Sequence, residues 1–111
     1  MKIRLAFAAA LALIPAAAGA QVLQERNLSM ALAQEIAQGA VAACAAKNFA
    51  VTATVVDRAG LVRAMLRADR AGPHTVEASK AKAYTSASAR NATTAIMENA
   101  EKNPAARHLA S

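Results

Sequence analysis

The sequence predicts a small α+β domain, and three observations carry this prediction. Residues 28–47 repeat apolar side chains at intervals of three and four, as one face of a helix does. Residues 49–67 are rich in β-branched side chains that alternate on either side of a turn, which is typical of an antiparallel hairpin. A Gly-Pro pair then introduces residues 73–90, which favours a second long helix.

The N-terminal residues 1–20 have the pattern of a secretory signal peptide. They hold a basic start, an apolar run and small residues at a cleavage site, which are Lys2 with Arg4, residues 5–13 and residues 18–20. The run is shorter than the roughly 20 residues that span a bilayer, and no later segment is long and uncharged enough. We therefore expect cleavage near Ala20, no transmembrane segment, and a periplasmic or extracellular mature chain.

Composition bounds the size and the partners of the mature chain. Residues 1–20 hold two of the 13 basic residues and none of the seven acidic ones, so the remaining chain carries a net charge of +4. Its basic residues are spread out, which argues against a nucleic-acid partner. Cys44 is the only cysteine, so no disulfide can form within the chain. Its apolar helical surroundings favour a buried small side chain over a reactive thiol.

The first helix has a clear start and an unusual composition. Asn27 or Ser29 can cap it, and its three- and four-residue repeat runs through Leu28, Leu32, Ile36 or Glu35, Gly39 and Ala43. The many alanines raise helix propensity but offer little apolar area. We expect this helix to lie close against a flat partner such as a sheet.

Asn48 ends the helix, and two strands follow over residues 49–56 and 61–67. Asp57 and Gly60 occupy the first and fourth positions of the connection, as a type I turn prefers. One face of the hairpin is apolar and the other carries threonine and charge. Arg63 and Arg67 share that second face, which favours exposure to solvent.

The second helix begins after a polar connection. Gly72 is suited to the N-cap and Pro73 to the first helical position, with Thr75 as a rival cap. Residues 91–99 predict a further short helix, and residues 103–104 begin another turn or helix. Only two strands are present, and a lone hairpin is marginal in water. We expect more strands from further sequence or from partner chains.

The start of the second helix is the candidate functional site. His74 lies at the positive end of the helix dipole, which favours the neutral imidazole that binds metals. The free N–H groups there suit a carboxylate or phosphate. Lys80 and Lys82 follow one to two turns later, and Tyr84 adds the only phenol. Together these residues could receive a flat, anionic, metal-containing ligand.

Each of these residues also has a simpler interpretation. His74 could be an ordinary capping or surface residue, and Glu77 with Lys80 a solvated helix pair. Tyr84 could anchor a core or an interface, and His108 has no partner at metal-ligand spacing. The sequence has no Gly-rich phosphate loop, CxxC, HExxH or nucleophile elbow.

Four ordered segments carry a resemblance to a known family. They are residues 55–60 followed by a strand, residues 69–75, residues 78–85 with Ala78, Ala81 and Lys82, and residues 103–109 with the letters Asn-Pro-Ala-Ala-Arg-His-Leu. In these the chain resembles the GlcG/HbpS-like haem-binding family, which is related to the C-terminal domain of PduO-type proteins. The resemblance implies a profilin-like antiparallel sheet flanked by helices, and a homo-oligomer.

The resemblance also implies a function and a site. It implies an exported haem-binding protein in haem sensing, storage or degradation, with a sensor protein as a partner. His74 is then the axial-ligand candidate at the iron, and Thr75, Lys80 and Lys82 are candidates for pocket or propionate contacts. The enzyme hypothesis is haem degradation with release of iron.

A third hypothesis is a cofactor-free oligomeric binding or accessory module, for example in glycolate or corrinoid metabolism. In it, close packing against partner chains would use Ala78, Ala81, Ala83 and Ala87. Family members continue past the Asn-Pro-Ala-Ala-Arg-His-Leu segment into a Gly-rich stretch, further strands and a last helix. We therefore expect residues 21–111 to be the N-terminal part of such a domain, truncated at its C-terminus.

Overall fold

The computed structural model describes residues 21–105, which form three helices and a two-stranded antiparallel sheet. In chain order the elements are α1 (Met30–Ala45), β1 (Thr52–Val56), β2 (Val62–Arg67), α2 (His74–Ala89) and α3 (Thr93–Lys102). The α+β class is confirmed, and each predicted helix and strand is present with its ends within three residues. The predicted signal peptide and His108 lie outside the described residues.

Helix α1 packs on the hairpin through its smallest side chains. The hydroxyl of Ser29 caps the helix by accepting a hydrogen bond from the N–H of Leu32 at 3.2 Å. Ala33 and Ala37 are fully buried, and the helix contacts both strands. The flat partner expected for an alanine-rich helix is therefore the hairpin itself.

The larger apolar side chains of α1 lie beside this contact and remain about half exposed. Leu32 and Ile36 are 47% and 46% exposed, and a side chain added at Gly39 would meet nothing within 4 Å. Leu32 lies about 100° around the helix from Ala33, and Ile36 lies about 60° from Ala33 and 100° from Ala37, because successive residues turn by about 100°. We call Leu32, Ile36, Gly39 and Ala43 the exposed stripe. The repeat that predicted the helix marks this stripe and not the buried face.

The hairpin turn is built around the carboxylate of Asp57. The N–H of Gly60 donates to the Asp57 carbonyl at 2.9 Å, and the carboxylate accepts from the N–H groups of Ala59 and Leu61 at 2.9 and 3.0 Å. Arg63 Nε donates to its second oxygen at 3.3 Å. Asp57 is only 7% exposed, so this turn holds a buried carboxylate whose oxygens are satisfied.

The strands pair with one irregularity. Thr52 faces Arg67 and Thr54 faces Met65, but the register shifts after Val55. Arg63 has no partner across the sheet at the shift, and its guanidinium reaches Asp57.

Helix α2 covers the threonine side of the hairpin. The Thr52 and Thr75 hydroxyl oxygens are 2.7 Å apart, and those of Thr54 and Ser79 are 2.6 Å apart. Rising numbers on β1 meet rising numbers on α2, so the strand and the helix run in the same direction. Among the described residues α1 contacts the hairpin but not α2, which indicates that the hairpin separates the two helices.

The two arginines on that hairpin face are exposed, as expected, but both are held. Arg63 bonds the carboxylate of Asp57, and Arg67 Nη1 donates to the carbonyl oxygen of Ala71 at 2.6 Å. The face that they share is therefore only partly open to solvent, because α2 covers the threonines of β1 on the same face.

The apolar core of the described region is small. Its buried hydrophobic residues are four alanines and one isoleucine, which are Ala33, Ala37, Ala71, Ala100 and Ile96. Small side chains remove little apolar area from water, so polar contacts between elements carry more of the packing. No helix in the described range is both long and apolar enough to cross a bilayer.

Candidate functional site

A short connection carries the chain from β2 to the start of α2. The N–H of Ala68 donates to the Val51 carbonyl at 2.9 Å, and the N–H of Ala71 donates to the Ala68 carbonyl at 2.9 Å. Ala71 is buried, and its own carbonyl accepts from Arg67. The backbone just before the helix is therefore tied both to β1 and to the end of β2.

The first turn of α2 is closed by Gly72 and Thr75. The Gly72 carbonyl accepts from the Thr75 N–H at 3.0 Å and from the Thr75 hydroxyl at 2.6 Å. Helix α2 begins at His74, one residue later than predicted, and Pro73 already has a helical backbone. Gly72 and Thr75 were the two predicted N-caps, and neither caps the helix with a side-chain acceptor. Gly72 accepts through its carbonyl, and Thr75 donates to that carbonyl from within the first turn.

The imidazole of His74 folds back over Gly72. A side-chain carbon added at Gly72 would lie 2.7 Å from His74 Cε1 and 2.9 Å from Nδ1, which is closer than real contacts of this kind. The glycine therefore gives the ring a place to lie against the backbone. His74 is exposed, so its ring is open to a ligand from solvent.

Thr75 faces the hairpin. Its hydroxyl proton is donated to the Gly72 carbonyl, so the 2.7 Å contact with Thr52 places the proton of Thr52 on the Thr75 oxygen. The same reasoning makes Thr54 the donor to Ser79, whose own hydroxyl donates to the Val76 carbonyl at 3.0 Å. These two contacts fix how α2 lies on β1, and so where His74 sits.

The two predicted lysines are exposed but point in different directions. Lys80 and Lys82 are about 200° apart around α2, at about 100° per residue. They lie about 9 and 12 Å beyond His74 along the helix axis, at 1.5 Å per residue. The helix therefore does not bring both ammonium groups to one side of the imidazole.

Arg67 belongs to the candidate site, although the sequence pattern predicted it only as a residue of the solvent face. Its guanidinium holds the carbonyl of the peptide between Ala71 and Gly72, and the His74 ring lies against Gly72. Arg67 and His74 thus flank one peptide unit. Arg67, the last residue of β2, pairs with Thr52, the first residue of β1, and this pairing puts Arg67 on the side of the hairpin that α2 covers. No pattern in the sequence signals it.

Tyr84 lies against the hairpin turn. A side-chain carbon at Gly60 would come within 2.7 Å of its ring, and Gly60 has φ +79°. Its interpretation as a packing anchor is favoured by this contact, although 56% of the residue is exposed.

The donor set at the helix start is one imidazole. No group of three or more His, Cys, Asp or Glu side chains capable of holding a metal ion occurs among residues 21–105. A metal that binds here through His74 would need further ligands from a prosthetic group, solvent or another chain.

A cleft of about 520 Å³ lies at the other end of α2. It is bounded by the segment before α1, the hairpin turn and the helix end, with Asn27, Arg58 and Arg90 among its lining residues. His74 is about 24 Å away along the helix. The candidate site at His74 is therefore an open surface at a helix start and not a part of this cleft.

The model of the family described as haem degrading protein HbpS-like matches residues 28–111. The chain belongs to this HbpS-like family. No curated protein matches the chain.

The family match confirms the resemblance read from the sequence. It covers α1, the hairpin, α2 and α3, and therefore every candidate residue from Arg67 to Lys82. It leaves residues 1–27 outside, so the predicted signal peptide is not part of the matched HbpS-like region.

Proposed function

We propose that this HbpS-like chain is an exported haem-binding protein in which His74 is a ligand of the haem iron. The observation that carries the proposal is the exposed imidazole at the start of α2, lying against a glycine. Imidazole nitrogen is a common axial ligand of haem iron. The family description, which names haem degradation, supports haem as the ligand.

The residues at the helix start fit a haem in two ways. The ring of His74 is exposed, and Gly72 leaves room for it to rest against the backbone, so the imidazole is held at the surface where a flat macrocycle can approach it. The bound iron would supply a site for electron transfer or for oxygen chemistry. Thr75 and Arg67 hold the backbone on which the imidazole stands.

Export is the second part of the proposal. It rests on the basic start, apolar run and small-residue cleavage site in residues 1–20. When the full chain is expressed in a bacterial host, we expect the periplasmic product to begin at Gln21 by intact mass. A chain that retains residues 1–20 in the cytoplasm would overturn this part alone.

A haemin titration tests the binding proposal. The wild-type chain should shift the Soret band of haemin and saturate, and His74→Ala should lose the shift while its circular dichroism is unchanged. His108→Ala is the matched control, because it removes the only other histidine and should keep the shift. A folded His74→Ala variant that binds haemin as tightly as wild type would overturn the assignment.

The same samples test haem degradation, the activity in the family description. Ascorbate in air is added to the haemin complex, and the Soret band and released iron are followed together. Loss of the band with iron release, faster than for free haemin, would extend the function from storage or sensing to degradation. A complex that keeps its band and iron would restrict it to binding, where sensing would require a sensor-protein partner.

A second candidate function is a cofactor-free assembly module. The exposed stripe on α1 favours it, because Leu32 and Ile36 leave apolar surface uncovered in the described structure. Sedimentation without haemin should then show an oligomer that Ile36→Gln weakens. A monomer that also binds haemin would favour the haem proposal over this one.

A further inference from the structure

We propose that Arg67 is the anion-binding partner of His74, and that its guanidinium binds a propionate carboxylate of the haem. This inference rests on the proposed function, since it concerns the same site. The sequence predicted Lys80 and Lys82 as the propionate contacts. We assign that role to Arg67, at the end of β2.

Arg67 and His74 contact the same peptide unit, between Ala71 and Gly72. Arg67 Nη1 is 2.6 Å from the carbonyl oxygen of Ala71, and the next residue, Gly72, lies under the His74 ring. A haem whose iron is bound by His74 would lie close to the peptide unit that Arg67 holds. We expect a propionate of that haem to take the free donors of this guanidinium.

The guanidinium has donors to spare. Arginine has five N–H donors, and the contact with Ala71 uses one. The ion pairs within residues 21–105 involve Arg58 and Arg63, and no carboxylate there pairs with Arg67. Arg67 is exposed, so its positive charge is available to a ligand.

Arg67 suits a carboxylate better than Lys80 or Lys82 does. The planar guanidinium can bind a carboxylate through two parallel hydrogen bonds, whereas an ammonium acts as a point charge. Its anchor on Ala71 already fixes the side chain, so less conformational entropy is lost on binding. The lysines are separated from His74 by one to two helical turns and diverge around the helix.

The neighbouring Arg70 offers a matched control. It is an exposed arginine in the connection that follows Arg67, but it lines a cleft of about 390 Å³ with Asn48 and Phe49, near the end of α1. Substituting it removes the same charge from the same segment. It should not remove a contact with a ligand held by His74.

The experiment compares haemin with its dimethyl ester, which lacks free propionate carboxylates, in the same mild detergent. The full chain should bind haemin more tightly than the ester. Arg67→Gln should weaken haemin binding by about tenfold more than it weakens ester binding, as expected for a lost charge-assisted hydrogen bond. Arg70→Gln should change neither.

The outcomes separate this inference from the proposed function. If Arg67→Gln weakens haemin and ester equally, Arg67 only shapes the helix start and the propionate assignment is overturned. If it weakens neither, Arg67 has no role in binding. If the wild-type chain binds neither porphyrin, the proposed function fails, and this inference with it.

Discussion

The hydroxyl of Thr52 on β1 lies 2.7 Å from the hydroxyl of Thr75 on α2, and it donates to that oxygen because Thr75 donates its own proton to Gly72. This pair joins the hairpin to the first turn of the helix that carries His74. Thr52 is 8% exposed, so the contact is shielded from water. In a chain whose described core is mostly alanine, such a contact contributes to holding the helix on the sheet.

Thr52→Val tests this contact. Valine keeps the shape of threonine but cannot donate, so the Thr75 oxygen loses one hydrogen bond. We expect the free energy of unfolding to fall by about 1 kcal/mol. Thr94→Val, at an exposed position of α3, should change it by less than about 0.5 kcal/mol. Urea denaturation measures both, and equal effects would show that the Thr52 hydroxyl has no special role.

The carboxylate of Asp57 is the polar centre of the hairpin turn. Asp57→Ala removes the acceptor for two backbone N–H groups and for Arg63. Because Asp57 is buried, we expect a loss of about 2–3 kcal/mol in unfolding free energy. Arg58→Ala breaks the exposed 3.8 Å pair with Glu25 and a 3.5 Å hydrogen bond from Nη1 to the Arg26 carbonyl, and should cost less than about 1 kcal/mol. A larger loss for Arg58→Ala than for Asp57→Ala would contradict this view of the turn.

Two glycines should respond to alanine with opposite signs. Gly60 has φ +79° and Tyr84 occupies the place of a side chain, so Gly60→Ala should destabilise by about 2 kcal/mol through backbone strain and displacement of the ring. Gly39 lies in α1 with open space around it, so Gly39→Ala should stabilise by about 0.5–1 kcal/mol. Thermal or urea unfolding measures both.

The Gly60 prediction also has an internal check. In the double variant Gly60→Ala with Tyr84→Ala, the clash is removed and only the backbone strain remains. The cost of Gly60→Ala should then be smaller than in the wild-type background. An unchanged cost would mean that Tyr84 does not constrain the turn.

The helices and strands could be predicted from local sequence, but the side that each helix buries could not. Ser29, Asn48 and the Asp57 turn mark where elements start and stop, and these signals act within a few residues. Which side of α1 is buried depends on the shape of its partner. Close approach to a flat hairpin selects Ala33 and Ala37, although Leu32 and Ile36 are more apolar.

In the candidate site, too, some residues could be predicted from local sequence and others could not. His74 could be identified from its place after Gly-Pro, because helix starts are marked locally. Arg67 could not, because its importance comes from the pairing of β1 with β2 and from a hydrogen bond across the connection to Ala71. Lys80 and Lys82 were predicted from their spacing in the sequence alone, and the helix places them on different sides.

The orientation of α1 predicts unequal responses at neighbouring positions. Ala33→Leu adds volume where the helix meets the hairpin, and should cost about 1–3 kcal/mol of unfolding free energy. Ile36→Gln changes a side chain that is nearly half exposed, and should cost less than about 1 kcal/mol. If Ile36→Gln proves the more damaging in a monomeric sample, the exposed stripe is the true packing face.

The glycine beneath His74 predicts a binding defect without an unfolding defect. In Gly72→Ala the new methyl group would lie 2.7 Å from Cε1 of the imidazole, so the ring must move off the backbone. The ring is the free end of a side chain and can move at little cost, so unfolding free energy should change by less than about 1 kcal/mol. Haemin affinity should fall roughly tenfold, because the iron ligand no longer sits where the helix start holds it. Gly39→Ala is the control with unchanged affinity, and Gly72→Ala with wild-type affinity would show that the position of the imidazole over Gly72 does not matter for binding.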